Sequence, residues 1–278
     1  MNKVFNFYSP SKLNLGLRVI GKNNNNYHLL NTVFCFINLL DKIKIEINYN
    51  SEIKIFNTIS NWHFETDLTY KASVILKNFT NSQNGVNISI YKNIPVGAGL
   101  GGGSSNCATV LYALNKIWNI NLSIEELQRI GLSLGADVPF FLNKYNSYAT
   151  NIGEVLTQVN LPPSYFVLLK PDVSISTKLI FENLNFPNEL LLHQVTPEEL
   201  LLEKKNDLQN VIIEFYPELK KIIDHLKLYG NPVFTGSGSV IYLQYFNYFD
   251  AKKVANILRM LYNIYLVKGL QQNPIFLI

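Results

Sequence analysis

Residues 93–109 read Asn-Ile-Pro-Val-Gly-Ala-Gly-Leu-Gly-Gly-Gly-Ser-Ser-Asn-Cys-Ala-Thr, with glycines at 97, 99, 101, 102 and 103. No other stretch constrains the fold of the chain as tightly. Ordering five glycines so close together carries a large entropic cost, because glycine loses the most conformational freedom on folding. Such a run is expected where backbone must come close to another group or take a positive φ. Ser104 to Trp118 then reads as a helix, with Val110, Leu111, Leu114 and Ile117 facing inward. A helix N-terminus offers unpaired N–H groups and the positive end of the dipole. Together these features predict an anion cradle, with a phosphate chain as its natural occupant. Its candidate nucleotide-binding residues are Pro95, Val96, Gly97, Ala98, Gly99, Leu100, Gly101, Gly102, Gly103, Ser104 and Ser105.

Gly97, Gly99 and Gly102 also satisfy G-x-G-x-x-G. A dinucleotide fingerprint, however, joins a strand directly to a helix, with an acid near the end of a following strand. Here Pro95 intervenes, and Glu125 and Glu126 fall at a helix start. No Gly-Lys-Ser/Thr follows the glycines, so the loop is not a Walker sequence. A glycine turn without a ligand stays the plain alternative.

Phosphoryl transfer asks a protein for positioning, for cations and for a base that takes the acceptor's proton. Three further places supply candidates. Ser9-Pro10-Ser11-Lys12-Leu13-Asn14 sets Lys12 and Asn14 two residues apart, on one side of a strand. Leu134-Gly135-Ala136-Asp137-Val138-Pro139 places Asp137 between a helix-ending glycine and a proline. Thr235-Gly236-Ser237-Gly238-Ser239 is a second small-residue loop, in which Gly236 and Ser237 are able to approach a ligand. Each has a plainer reading: an edge-strand lysine, a cap or turn aspartate, a hairpin turn. Their occurrence together favours a site.

The remaining pattern mixes strands and helices. Residues 1–20, 28–38 and 42–47 read as strands, with 51–56 the hairpin partner of 42–47. Residues 67–79 read as a helix, 86–91 as a strand, and Ser123 with Glu126 as a capping box opening a helix that closes near Gly131–Gly135. Residues 148–156 form a short strand region, and Leu161-Pro162-Pro163 is a stiff connector. Beyond it, strands are expected at 165–169, 240–244 and 264–267. Helices are expected at about 177–183, 197–203, 206–214, 217–228 and 250–262. Without regular β–α alternation the fold class is α+β, in two domains spanning 1–160 and 161–278.

The net charge of +4 is mild and no basic run is long enough to suggest nucleic acid. The only two cysteines, Cys35 and Cys107, make neither a disulfide framework nor a metal site. Cys35 reads as a buried small hydrophobe; Cys107, one turn into the proposed helix, reads as packing, with mild activation there as the alternative. No apolar run approaches the ~18 residues of a membrane span, and Met1–Tyr8 reads as a strand rather than a leader. A cytoplasmic protein without membrane or nucleic-acid partners is expected.

Pro95–Asn106 resembles the phosphate-binding motif of the galactokinase, homoserine, mevalonate and phosphomevalonate kinase (GHMP) superfamily, Ser9–Asn14 its first motif and Thr235–Ser239 its third. Within it, Ser-Pro-Ser-Lys-Leu-Asn-Leu, Tyr27-His28 and Leu-Gly-Ala-Asp-Val-Pro are similar to the diphosphocytidyl-methylerythritol kinases of the non-mevalonate isoprenoid pathway. So are Asn151–Glu154, Lys170-Pro171 with Val173–Thr177, Asn206-Asp207-Leu208 and Val267-Lys268-Gly269. These pieces run in order from residue 9 to about 270. The resemblance implies a two-domain GHMP kinase fold with the active site in the interdomain cleft. It implies transfer of the γ-phosphoryl of ATP to the 2-hydroxyl of a cytidine-diphosphate-linked methylerythritol, with Mg2+. By the same resemblance, Asp137 is the general base and Lys12 the cation beside it; Asn14 holds substrate or this pair, and Ser105 neighbours Mg2+. Tyr27 and Phe181 sandwich the cytosine and His28 reads its edge. Homoserine or mevalonate kinase, and a non-catalytic nucleotide-binding regulator, are the competing readings. Two segments depart from the family: Asn25-Asn26 stand where Asp-Gly usually precedes Tyr-His, and Asp67 replaces the asparagine of the adenine-side segment.

Overall fold

The computed structural model describes residues 3–58, 64–80, 82–184 and 195–277. Its spine is an antiparallel pair of long strands, β1 (Val4–Lys22) and β2 (His28–Asn48), so the segments expected at 28–38 and 42–47 are one strand. The Asn-rich turn between them works because asparagine accepts left-handed backbone: Asn26 sits at φ 63°, and the Asn23 side chain accepts from the backbone N–H groups of Asn25 and Tyr27. Register shifts at Pro10/Ser11 and between Asn14 and Leu17 bracket Lys12–Asn14. Bulges of this kind re-aim side chains next to functional sites.

β3 (Ile53–Asn57) is not the hairpin partner of 42–47. Residues 42–48 of β2 are paired instead with β4 (Gly85–Tyr91), so β3 adds in parallel to the outer edge of β4, and α1 (Leu68–Lys77) makes the crossover. α2 (Gly102–Ile117), α3 (Ile124–Leu134) and the single turn α4 (Val138–Phe141) follow, then the hairpin β5 (Ser147–Thr150) and β6 (Val155–Gln158). The order across this sheet is β3-β4-β2-β5-β6, with β1 on the other side of β2. α2 begins at Gly102 rather than Ser104, and α3 opens on the expected Ser123–Glu126 capping box.

After Leu161 come β7 (Tyr165–Leu169), α5 (Thr177–Glu182), α6 (Pro197–Glu203), α7 (Gln209–Phe215) and α8 (Glu218–Leu226). The chain closes with β8 (Val233–Phe234), β9 (Ile241–Tyr245), α9 (Tyr248–Leu258) and β10 (Ile264–Lys268), giving an antiparallel sheet ordered β10-β7-β9-β8.

The period of two along β2 explains how the two halves join. Phe34 and Phe36 enter a core with α2 and α4, while Val33, Cys35 and Ile37 face Phe166, Leu168 and Tyr242 of the second sheet. A third core joins Leu17 and Val19 of β1 to α7, α8 and α9. The tail returns, with Ile275 and Phe276 packed among the residues of the first core. Both cysteines are buried, and burial pushes the Cys35 thiol up to about 12 and raises that of Cys107, so Cys107 is a packing residue rather than an activated thiol. Among the described residues no helix is long and apolar enough to cross a membrane.

Candidate active site

The glycine loop sits between two cavities. One, of about 410 Å³, lies along Asp67, Lys92 and residues 95–104. The other, of about 1020 Å³, lies between the halves of the chain and takes Lys12, His28 and Asp137 from the first and Phe181 and Gly236 from the second. Gly97, Gly99, Gly101 and Ser104 line both.

The loop needs glycine for stated reasons. Gly99 has φ +76°, and a Cβ there would meet the Thr235 carbonyl oxygen at 2.3 Å, so the two small-residue loops touch. Gly101, at φ +70°, packs on the Phe141 ring and on Lys12 Cε, and caps α2 with no side chain. The first amides of a 16-residue helix are therefore left for an external acceptor. At Gly97 and Gly103 a Cβ would meet nothing, which leaves the cradle open on those sides.

Lys12 is buried on β1, its backbone N–H donating to the Leu100 carbonyl, which ties the strand to the loop. Its ammonium donates to Asn14 Oδ1 (2.7 Å), lies 3.4 Å from Asp137 Oδ2, and stands 5.0 Å from the centre of the Phe34 ring. Asn14 is held in turn: its Nδ2 donates to Thr32 Oγ1 and its backbone N–H to Thr235 Oγ1. Asn14 thus fixes the Lys12 ammonium at the cavity wall. Asp137 occupies the N-cap of α4 yet makes no side-chain cap bond, and its side chain is 35% exposed. A carboxylate that caps nothing and faces an ammonium in a cleft is free to accept a proton.

At the far end of the larger cavity, His28 packs on Phe181 with ring centroids 5.0 Å apart, while Tyr27 is exposed beside them. Burial and the charge of Lys22 hold His28 below the usual histidine range, and its Nε2 is buried without a partner. A neutral imidazole nitrogen waiting for a partner suits an edge contact to a polar ring. Phe181 thus touches His28, with Tyr27 lining the same end of the cavity.

Ser105, expected beside Mg2+, turns away from the cleft. One residue further round the helix than Ser104, it is fully buried, shares a 2.7 Å hydrogen bond with Ser9 Oγ, and lines neither cavity. Ser104 is the hydroxyl that faces the cleft. Gly236 and Ser237 do line it, and Ser237 Oγ is 2.7 Å from Thr177 Oγ1. Asp67 lines the smaller cavity, where its Oδ1 accepts from Thr69 N and Oγ1.

Residue reasoning missed Lys22, Ile152, Thr177 and Leu208 in the larger cavity. The last three lie in the family-like pieces 151–154, 173–177 and 206–208, which carried no role of their own. It also missed Asp41 and Asn106, which stand behind the loop in a buried network with Lys92. Nothing in their spacing marks them.

The GHMP kinases N terminal domain profile matches residues 67–144. The chain is 36% identical over 99% of both lengths to the 4-diphosphocytidyl-2-C-methyl-D-erythritol kinase of Chromobacterium violaceum. It is 37% identical to that of Neisseria gonorrhoeae, over 97% of this chain and 96% of the relative. A crystal structure of 4-(cytidine 5'-diphospho)-2C-methyl-D-erythritol kinase superposes with TM-score 0.81 at 29% identity, covering 95% of this chain and 99% of that one. Homoserine kinase from Cytophaga hutchinsonii superposes at 0.70 with 14% identity, over 98% and 96%, a likeness of fold alone.

Proposed function

The chain belongs to the 4-diphosphocytidyl-2-C-methyl-D-erythritol kinase family within the GHMP kinases, and from that premise we propose that it carries out this family's reaction with the residues placed above. It is a small-molecule kinase of the non-mevalonate route to isoprenoid precursors. It moves the γ-phosphoryl of ATP to the 2-hydroxyl of 4-diphosphocytidyl-2-C-methyl-D-erythritol, in the cytoplasm. The observation that carries the reading is the Lys12–Asp137 pair at 3.4 Å, set between the glycine loop and the aromatic end of one cavity.

In this reading Asp137 takes the proton of the 2-hydroxyl as that oxygen bonds to the γ-phosphorus. The bond from phosphorus to the bridging oxygen breaks and its electrons leave on ADP. Lys12, 3.4 Å from Asp137, opposes the charge on the transferring group. The free amides at the start of α2 hold the phosphates. Among the described residues no group of three His, Cys, Asp or Glu could hold a metal. Mg2+ would neutralise phosphate charge when bound with the nucleotide, and the Ser104 hydroxyl and Asp137, which line the cleft, are the side chains that would neighbour it. In support of a division at 160/161, the strands of one sheet all lie within residues 4–158 and those of the other within 165–268.

At the acceptor end, Tyr27 and Phe181 are proposed to stack the cytosine and the free His28 Nε2 to bond its edge. Base stacking on one aromatic is worth about 1–3 kcal/mol. Phe181→Ala should therefore raise KM for the cytidyl substrate roughly 5- to 150-fold while leaving KM for ATP as it was; steady-state kinetics in both substrates checks this. The reading as a whole is tested by ATP consumption with the cytidyl substrate, homoserine and mevalonate side by side. Turnover confined to the cytidyl substrate is expected. A preference for mevalonate or homoserine would overturn the specificity, and inactivity on all three would overturn the kinase reading.

A further inference from the structure

The tripeptide Asn206-Asp207-Leu208 links α6 to α7 behind the cleft. Asn206 is 6% exposed and lines neither cavity described above. Its Nδ2 donates to two carbonyls, Phe234 O at 2.8 Å and Gly236 O at 2.7 Å, while its Oδ1 accepts from Leu208 N at 2.9 Å. The two carbonyls bracket Thr235. Thr235 Oγ1 accepts from the Asn14 backbone N–H at 3.0 Å and lies 3.4 Å from Asn14 Oδ1, the atom that also receives the Lys12 ammonium. A Cβ at Gly236 would come within 3.3 Å of Asn14 Oδ1 and 3.6 Å of Lys12 Nζ, so this loop lies directly over the catalytic lysine.

The same segment is fastened on its other side to β1. Leu17 N donates to Lys205 O, Asp207 N to Leu17 O, and Val19 N to Asp207 Oδ2, with Arg18 Nη1 on Asp207 Oδ1. Residues 205–208 are thus a clip. Asp207 and the backbone grip the strand that carries Lys12, and one amide side chain grips the loop that crosses Lys12.

We propose that Asn206 is a positioning residue, fixing the 235–238 loop against Lys12, Asn14 and the glycine loop so that phosphoryl transfer is aligned. The proposal rests on the kinase reading for its consequence in turnover, though not for the clip itself. Asn206→Asp keeps the volume but sets a carboxylate oxygen against two carbonyl oxygens that had N–H donors. The loop must then withdraw. A misplacement of about 1 Å in such a site costs on the order of 10²-fold.

The test compares Asn206→Asp with Glu203→Gln in the full chain; Glu203 is an exposed partner of Arg18 that lines neither cavity. Asn206→Asp should lower kcat by roughly 10- to 100-fold, with KM for the cytidyl substrate nearly unchanged because Tyr27, His28 and Phe181 are untouched. Glu203→Gln, which loosens only the exposed pair with Arg18, should leave kcat per folded molecule near wild type. Amide exchange supplies a readout that needs no acceptor. In Asn206→Asp the Gly238 and Val240 amides, which donate to Thr235 O and Ala98 O, should exchange faster while those of Leu17 and Val19 stay protected. Should Asn206→Asp fail to fold, Asn206→Ala, which removes the donors without adding charge, takes the same measurements. Unchanged exchange at 238 and 240, or equal losses of kcat in both variants, overturns the proposal. Inactivity of the wild-type chain on the cytidyl substrate overturns the kinase reading instead and leaves exchange to decide the role of Asn206.

Discussion

Asp137→Asn should slow turnover by about 10²- to 10⁴-fold, the range that a positioned general base contributes, with both substrates still bound. The amide keeps the shape of the carboxylate at the N-cap of α4 but accepts a proton far less readily. Lys12, 3.4 Å away, keeps its bond to Asn14 Oδ1 and so keeps its place. Stability should fall less than for a fully buried pair, because Asp137 is 35% exposed, makes no side-chain cap bond, and leaves the buried Lys12 ammonium with Asn14 Oδ1 as a partner. Loss of kcat with KM for ATP and for the cytidyl substrate preserved is therefore the expected signature in steady-state kinetics. Near-normal kcat would remove Asp137 from its role. A parallel loss of folding would recast it as a structural residue.

The features of that prediction visible beforehand are those whose chemistry is written locally. The glycines, Lys12 with Asn14, Asp137 before a proline and the Tyr27-His28 pair each announce themselves by type and spacing, and the structure brings them round one cleft. What sequence hides is long-range. Residues 53–57 alternate like any strand, and nothing in them says that the edge of β2 is already taken by residues 85–91, which forces parallel pairing with β4. Ser104 and Ser105 are chemically equal, and only the helical phase turns one to the cleft and the other to Ser9. Asn206 is a commonplace loop residue until its amide is seen between two carbonyls 28 and 30 positions on.

Asp41 is the most consequential residue of this hidden kind. It is fully buried and accepts hydrogen bonds from Asn93 N (2.7 Å), Ile94 N (2.8 Å), Asn106 Nδ2 (2.9 Å) and the Lys92 ammonium. Asn106 passes the connection to Ser9 Oγ, which bonds Ser105 on the first turn of α2. One carboxylate thus anchors both the entry to the glycine loop, at 93–94, and the helix that leaves it. Asp41→Asn removes the charge opposite Lys92 and turns an amide N–H₂ toward groups that are themselves donors. Breaking a buried pair from one side costs about 3–5 kcal/mol, and at about 2–4 °C per kcal/mol for a chain of this size the melting midpoint should fall by roughly 6–20 °C. Because Lys92 also lines the smaller cavity, KM for ATP should rise in the molecules that stay folded, while KM for the cytidyl substrate stays close to wild type. The double variant Asp41→Asn with Lys92→Met, which no longer leaves an ammonium unpaired, should recover part of the lost stability. Thermal denaturation of the three proteins decides the matter. A single variant melting within a degree or two of wild type would mean that the loop is anchored elsewhere, and a double variant less stable than the single one would mean that Lys92 does not need Asp41.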